Sequence, residues 1–132
     1  MSENDDKSNT FADAIAKIYE PLNNEEKFKE KFGDNSFTIL LNPKDDKFAA
    51  LITVNKGHLS VKSIENSSKK NLSQNILGWD GFMQTTTELF KAIGRGELSS
   101  GDIAKKVMTR KIKVKNPNIL IKFSQLGALL RD

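Results

Sequence analysis

At 132 residues, with 37% hydrophobic and 29% charged residues and a formal net charge of +4, the chain has the size and balance of one folded domain, far from the disordered classes. It has no cysteine, which excludes disulfides, thiolate metal sites and a cysteine nucleophile. No apolar run approaches the roughly 20 residues that span a bilayer. The charge is unevenly placed: Asp5, Asp6, Glu20, Glu25, Glu26 and Glu30 weight the first quarter toward acid, whereas from Lys105 to Lys122 every charged residue is basic.

Residues 1–9 read as a disordered polar tail ahead of a domain over 10–132. That tail is acidic rather than basic and apolar, unlike a signal peptide, and Leu130-Arg131-Asp132 is no peroxisomal address, so a cytoplasmic protein is expected. Thr10 and Asp13 have capping-box spacing, and Phe11, Ile15, Ile18 and Leu22 form one helical stripe that Pro21 bends or ends. A short charged helix follows from Asn24 with Phe28 and Phe32 on one face and Gly33 closing it. Alternation of Phe37, Ile39 and Leu41, then of Phe48, Ala50, Ile52 and Val54, then of Leu59 and Val61, predicts three strands. Their short links make an antiparallel meander.

Residues 65–71 read as a polar loop and 72–77 as a weak fourth strand. Asp80 is the expected N-cap of a middle helix carrying Phe82, Thr86, Leu89, Phe90 and Ile93 on one stripe, ended by Gly94 and Gly96. Ser99 and Asp102 open another short helix. Ile112 and Val114 then alternate inward against Lys111, Lys113 and Lys115 in a last strand. Pro117 starts a final helix to Leu130, whose apolar residues exceed one stripe: Ile119, Leu120, Phe123, Leu126 and Leu130 lie on it, but Ile121, Ala128 and Leu129 do not. Such a helix is buried on two faces or meets a ligand, a membrane or a second subunit.

The residues supply no catalytic constellation and no metal or cofactor site. His58 is the one histidine and falls beside a turn at a strand start, where a solvated imidazole is the ordinary reading. The adjacent pairs Asp45-Asp46 and Glu25-Glu26 diverge on any regular element. Gly94-Arg95-Gly96 lacks the following lysine and preceding strand of a phosphate loop and reads as a helix stop. Trp79, Phe82, Met83, Phe90, Met108 and Phe123 read by pattern alone as core.

The order of elements, with Trp79-Asp80-Gly81-Phe82, the run Leu89 to Leu98 and the basic strand before an apolar C-terminal helix, resembles the sterol carrier protein 2 (SCP-2) sterol-transfer domain. The resemblance covers about residues 10–130. The chain departs from that family at Phe48, where tryptophan is frequent, and at Thr109-Arg110 and Asn116-Pro117, where glycine is common. The resemblance implies an α+β fold, a five-stranded mostly antiparallel sheet covered by helices, with an apolar tunnel between the two. Carried over by position, the tunnel wall takes Phe82, Met83 and Phe90 from the middle helix, Met108 and Ile112 from the approach to the last strand, and Leu120 and Phe123 from the final helix.

The function that follows is non-enzymatic binding of a lipid or another hydrophobic small molecule (sterol, fatty acid, acyl-CoA or isoprenoid), with possible transfer between membranes. Each methylene of a buried acyl chain contributes about 0.8 kcal/mol, so no polar anchor is required. The basic stripe at Lys111, Lys113 and Lys115 suits transient contact with an anionic membrane. Two alternatives remain: an accessory domain that presents a hydrophobic substrate to a partner enzyme, and a basic nucleic-acid module. The second is disfavoured because the stripe has no interleaved exposed aromatics for base stacking. A monomer or a weak homodimer fits the final helix.

Overall fold

The computed structural model describes residues 10–65 and 77–131. The expected tail, polar loop and most of the expected fourth strand lie outside these residues. Thr10 Oγ1 accepts the Asp13 N–H at 3.2 Å and so opens helix α1, Phe11–Tyr19. Pro21 does not merely bend the chain: it sits in a 3₁₀ turn, Glu20–Asn24, that leads into α2, Glu26–Phe32. The turn holds the sheet as well. Asn23 donates from Nδ2 to the Leu59 carbonyl at 2.9 Å and accepts the Leu59 N–H at 2.7 Å. A side-chain amide thereby satisfies the backbone of an edge strand that would otherwise invite a foreign strand.

The meander forms as expected from β1, Ser36–Pro43, β2, Phe48–Asn55, and β3, His58–Glu65, all antiparallel. Lys56 and Gly57, at φ of 48° and 79°, make the β2–β3 link. Positive φ at both central residues suits the twist of a two-residue hairpin. A further strand lies where the sequence suggested the start of the middle helix. β4 is Gly81–Thr85, parallel to β1, and the short β5, Lys113–Lys115, pairs antiparallel with it. The sheet is therefore mixed, with order β3-β2-β1-β4-β5.

Phe82 and Met83 thus belong to a strand, and Asp80 is not a helix cap. Asp80 ties β4 to β1 instead: its carboxylate accepts the Thr38 N–H at 2.8 Å and its own N–H donates to the Thr38 carbonyl at 2.7 Å. The middle helix, α3, is Thr87–Gly94 with Thr86 as its cap, Oγ1 accepting the Leu89 N–H at 3.2 Å. Helix α4, Ser100–Met108, opens with the full reciprocal capping box of Ser99 and Asp102, and α5 runs Pro117–Arg131.

Helices α3 and α4 end by the same hydrogen-bond pair but with different residues. After α3, Gly96 N–H donates to Ile93 and Glu97 N–H to Ala92; after α4, Arg110 N–H donates to Val107 and Lys111 N–H to Lys106. This arrangement needs a left-handed residue just past the helix. Gly96 supplies it at φ 74°, and Arg110 supplies it at φ 63°. For a residue with a side chain that conformation costs about 1–2 kcal/mol.

Alternation along the strands sorts side chains into two cores. Phe37, Ile39, Leu41, Ala50, Ile52, Leu59 and Met83 face the helices and join Phe11, Ile15, Tyr19, Phe90 and Phe123. Leu40, Ala49, Leu51 and Phe82 face the other way and pack with Trp79, beside Ile64 and Leu77. Gly81 lies on the helix-facing side, opposite Ile39, and α5 crosses it closely: a Cβ there would collide with the Ile119 side chain. Gly81→Ala is therefore expected to push α5 off the sheet and cost about 1–3 kcal/mol, read as a lower urea midpoint with an unchanged slope.

Candidate functional site

The apolar layer between the sheet and the helices is built around aromatic rings. Phe11 and Phe90 approach to 5.2 Å between centroids and Tyr19 and Phe123 to 5.4 Å, both pairs tilted as ring quadrupoles favour. Tyr19, in the last turn of α1, is 0% exposed. Its hydroxyl has no hydrogen-bond partner among the described residues and lies beside Gly94, where a Cβ would stand 3.4 Å from it. Leaving a buried hydroxyl unpaired costs about 1–3 kcal/mol. Asn42 Oδ1 is also buried without a partner, on the opposite face of the sheet.

Burial pushes the Tyr19 phenol well above its ordinary range, because the phenolate cannot be solvated there. With the folded-state pKa raised, the stability tied to the neutral phenol is whole below the unfolded value of about 10 and is lost as pH rises beyond it. Tyr19 is the chain's one tyrosine, so its phenolate absorbance reports this position alone. In an alkaline titration that band is expected to appear together with loss of circular dichroism, not before it.

The seven residues expected to line a tunnel do not come together as a set. Met83, Phe90, Ile112 and Phe123 meet in the helix-facing core. Phe82 is on the far face, 5.5 Å from Trp79 between ring centroids, because strand alternation sends it away from Met83. Met108, at the end of α4, is 82% exposed. The Leu120 side chain lies outside the described residues. Tyr19 was missed, although its spacing of four from Ile15 and three from Leu22 puts it on the same stripe.

Two clefts share Lys111 in their lining, the first where β4 runs into α3 and the second along α4. One, of about 560 Å³, is lined by Lys44, Thr85, Thr86, Glu88, Leu89, Ala92, Arg110 and Lys111. The other, of about 620 Å³, is lined by Leu98, Asp102, Lys105, Lys106, Thr109 and Lys111. Buried Thr85 organises the first: its hydroxyl donates to the Lys111 carbonyl at 2.8 Å, and its carbonyl accepts the Lys44 N–H at 2.8 Å. Across the loop, Asp45 accepts from the Thr87 N–H and hydroxyl at 2.8 and 2.9 Å, which holds its carboxyl below the usual range. Both clefts are open to solvent with basic rims, whereas the layer behind them is filled by its own rings.

The basic stripe divides between these surfaces. Lys111 stands at the clefts, but Lys115, opposite Phe82 on the neighbouring strand, sits 5.9 Å from the Trp79 ring centroid and 5.5 Å from that of Phe82. His58 is exposed at the start of β3. Among the described residues no group of three or more His, Cys, Asp or Glu side chains could hold a metal, and no helix is long and apolar enough to cross a membrane.

No family model matches the chain, and no curated protein matches it. Solved structures do. The ubiquinone synthesis protein UbiJ-SCP2 superposes with a TM-score of 0.58 at 8% identity, covering 88% of this chain and 84% of that one. A stereoselective inverting sec-alkylsulfatase, Pisa1 from Pseudomonas sp., superposes with a TM-score of 0.56 at 16% identity over 74% of this chain, and a double mutant of that enzyme matches equally. The chain spans only 14% of the sulfatase's length. These likenesses define the class: this is an α+β domain with the SCP-2-like fold.

Two residues expected on the same wall, one buried and one exposed, predict different responses to mutation. Phe123→Ala removes a ring from the packed interior and should cost about 3–5 kcal/mol. Met108→Ser touches an exposed position and should change stability by no more than about 0.5 kcal/mol, both read by chemical denaturation.

Proposed function

We propose that this domain binds a hydrophobic small molecule of the lipid class, without catalysing its conversion, in the layer between the sheet and helices α1, α3 and α5. The observation that carries the reading is the Tyr19 hydroxyl, sealed among apolar side chains with no hydrogen-bond partner among the described residues. A ligand carrying one carbonyl or hydroxyl oxygen on an apolar body would complete that bond and replace the Tyr19–Phe123 contact with its own. Met83, Phe90, Ile112 and Phe123 are the side chains that would line it. The SCP-2-like fold supports the same reading, since UbiJ-SCP2 is a ubiquinone synthesis protein. Transfer between membranes and residence in the cytoplasm belong to the same proposal.

A second reading follows from the sulfatase. A domain of this fold occupies a small part of that enzyme, and on this reading the chain is an accessory that holds a hydrophobic substrate for a separate catalytic partner. Both readings place the same ligand in the same layer and differ only in who receives it.

Tyr19→Phe distinguishes a ligand anchor from a plain core residue. Removing an unpaired hydroxyl should leave the unloaded domain as stable or up to ~1 kcal/mol more stable. The same change should weaken binding of a fluorescent fatty acid or sterol about fivefold to tenfold, the worth of one hydrogen bond. Unchanged affinity for every oxygen-bearing probe would remove Tyr19 from the site.

A further inference from the structure

The end of α4 carries a surface that the apolar layer does not use. Met108 is one of two large apolar side chains that stand exposed among the described residues, and neither is aromatic. Lys105 and Lys106 occupy the same last turn, and Arg110 and Lys111 follow in the turn beyond it. Lys111 stands on the rim of both clefts, with Arg110 beside it on the first and Lys105 and Lys106 on the second. The Lys17–Asp13 and Arg95–Glu97 ion pairs involve none of these four cations. Asp102, in the capping box at the start of the helix, is the one acid on the second cleft and lies within electrostatic reach of Lys105 and Lys106, so the cations still outnumber it there.

The backbone adds an independent observation. The hydrogen-bond pair that ends α3 uses glycine at the left-handed position, and the identical pair that ends α4 uses Arg110 there. A cation thus stands where the conformation favours glycine, next to an exposed methionine and three lysines.

The geometry points to a docking surface for an anionic phospholipid bilayer at this end of the molecule, with Met108 entering the boundary between headgroups and acyl chains and Lys105, Lys106, Arg110 and Lys111 lying against the headgroup phosphates. A flexible apolar side chain with cations just before and just after it in the chain gains from a bilayer, which offers both negative charge and hydrocarbon. Nucleic acid offers the charge alone, and the surface has no exposed aromatic on which bases would stack. The inference stands whether or not the apolar layer holds a ligand.

Co-sedimentation of the full chain with vesicles tests it. Binding is expected to phosphatidylcholine vesicles containing phosphatidylglycerol, to fall steeply with salt, and to be weak with phosphatidylcholine alone. Lys105→Gln with Lys106→Gln should reduce partitioning about 25-fold, at roughly fivefold for each charge near the surface. Met108→Ser should reduce it roughly tenfold. Arg110→Gly is the most telling variant, because it suits the backbone: binding should drop about fivefold while Tm stays level or rises. Equal binding to neutral and anionic vesicles, or wild-type binding by Met108→Ser and Arg110→Gly, would overturn the inference. So would tighter binding to duplex DNA at equal phosphate that Met108→Ser leaves unchanged; that result would identify a nucleic-acid surface.

Discussion

β1 lies between β2 and β4, so both its edges are paired, and its period-two alternation divides the apolar residues of the domain into two sets, one on each face. Phe37, Ile39 and Leu41 commit one face to the helices, and Leu40 commits the other to Trp79 and Phe82. A slip of one residue in the β1–β4 register would exchange the two sets. Asp80 holds that register through paired bonds to the Thr38 backbone, and Gly81 then leaves room for Ile119 to bring α5 down onto the sheet. The position of the final helix, and with it the ring contact of Phe123 with Tyr19, follows from that junction.

The two regions of functional interest meet at the end of β4. Thr85 closes the strand with its side chain on the Lys111 backbone and its carbonyl on Lys44, so a rigid strand end positions the basic rim. Behind it, Leu89 packs against the main core that contains Tyr19. A buried polar atom within an apolar layer and a charged mouth beside that layer make an arrangement suited to an amphiphile. Under the proposed function, a guest would displace side chains among these packed rings, and the Tyr19–Phe123 pair is the contact whose loss it would offset.

Much of this fold was legible in the residues. Phe37 to Leu41 and Phe48 to Val54 alternate over enough positions to be unmistakable, and Ser99 with Asp102 and Pro117 mark helix starts by local chemistry that tertiary packing did not override. β4 was not legible, for a physical reason. Gly81–Thr85 is five residues long and runs directly into α3, so Phe82, Thr86, Leu89 and Ile93 mimic one continuous helical stripe. What makes it a strand is pairing with β1, about forty residues earlier in sequence, and with β5, about thirty later; no local propensity reports such partners. That single misreading put Phe82 and Met83 on the same wall, when alternation sends them to opposite faces. The exposure of Met108 was hidden for another reason: methionine at the end of a helix carries no signal for whether a neighbour covers it.

The measurement that bears most directly on the account is native mass spectrometry of the full chain, gently purified, followed by solvent extraction of whatever accompanies it. The account predicts a bound amphiphile with at least one hydrogen-bonding oxygen, displaced when the domain is unfolded and diminished in Tyr19→Phe. A protein that arrives empty and then takes up neither fatty acid nor sterol would contradict it, and would leave Tyr19 as an unpaired hydroxyl in a core that the chain fills by itself.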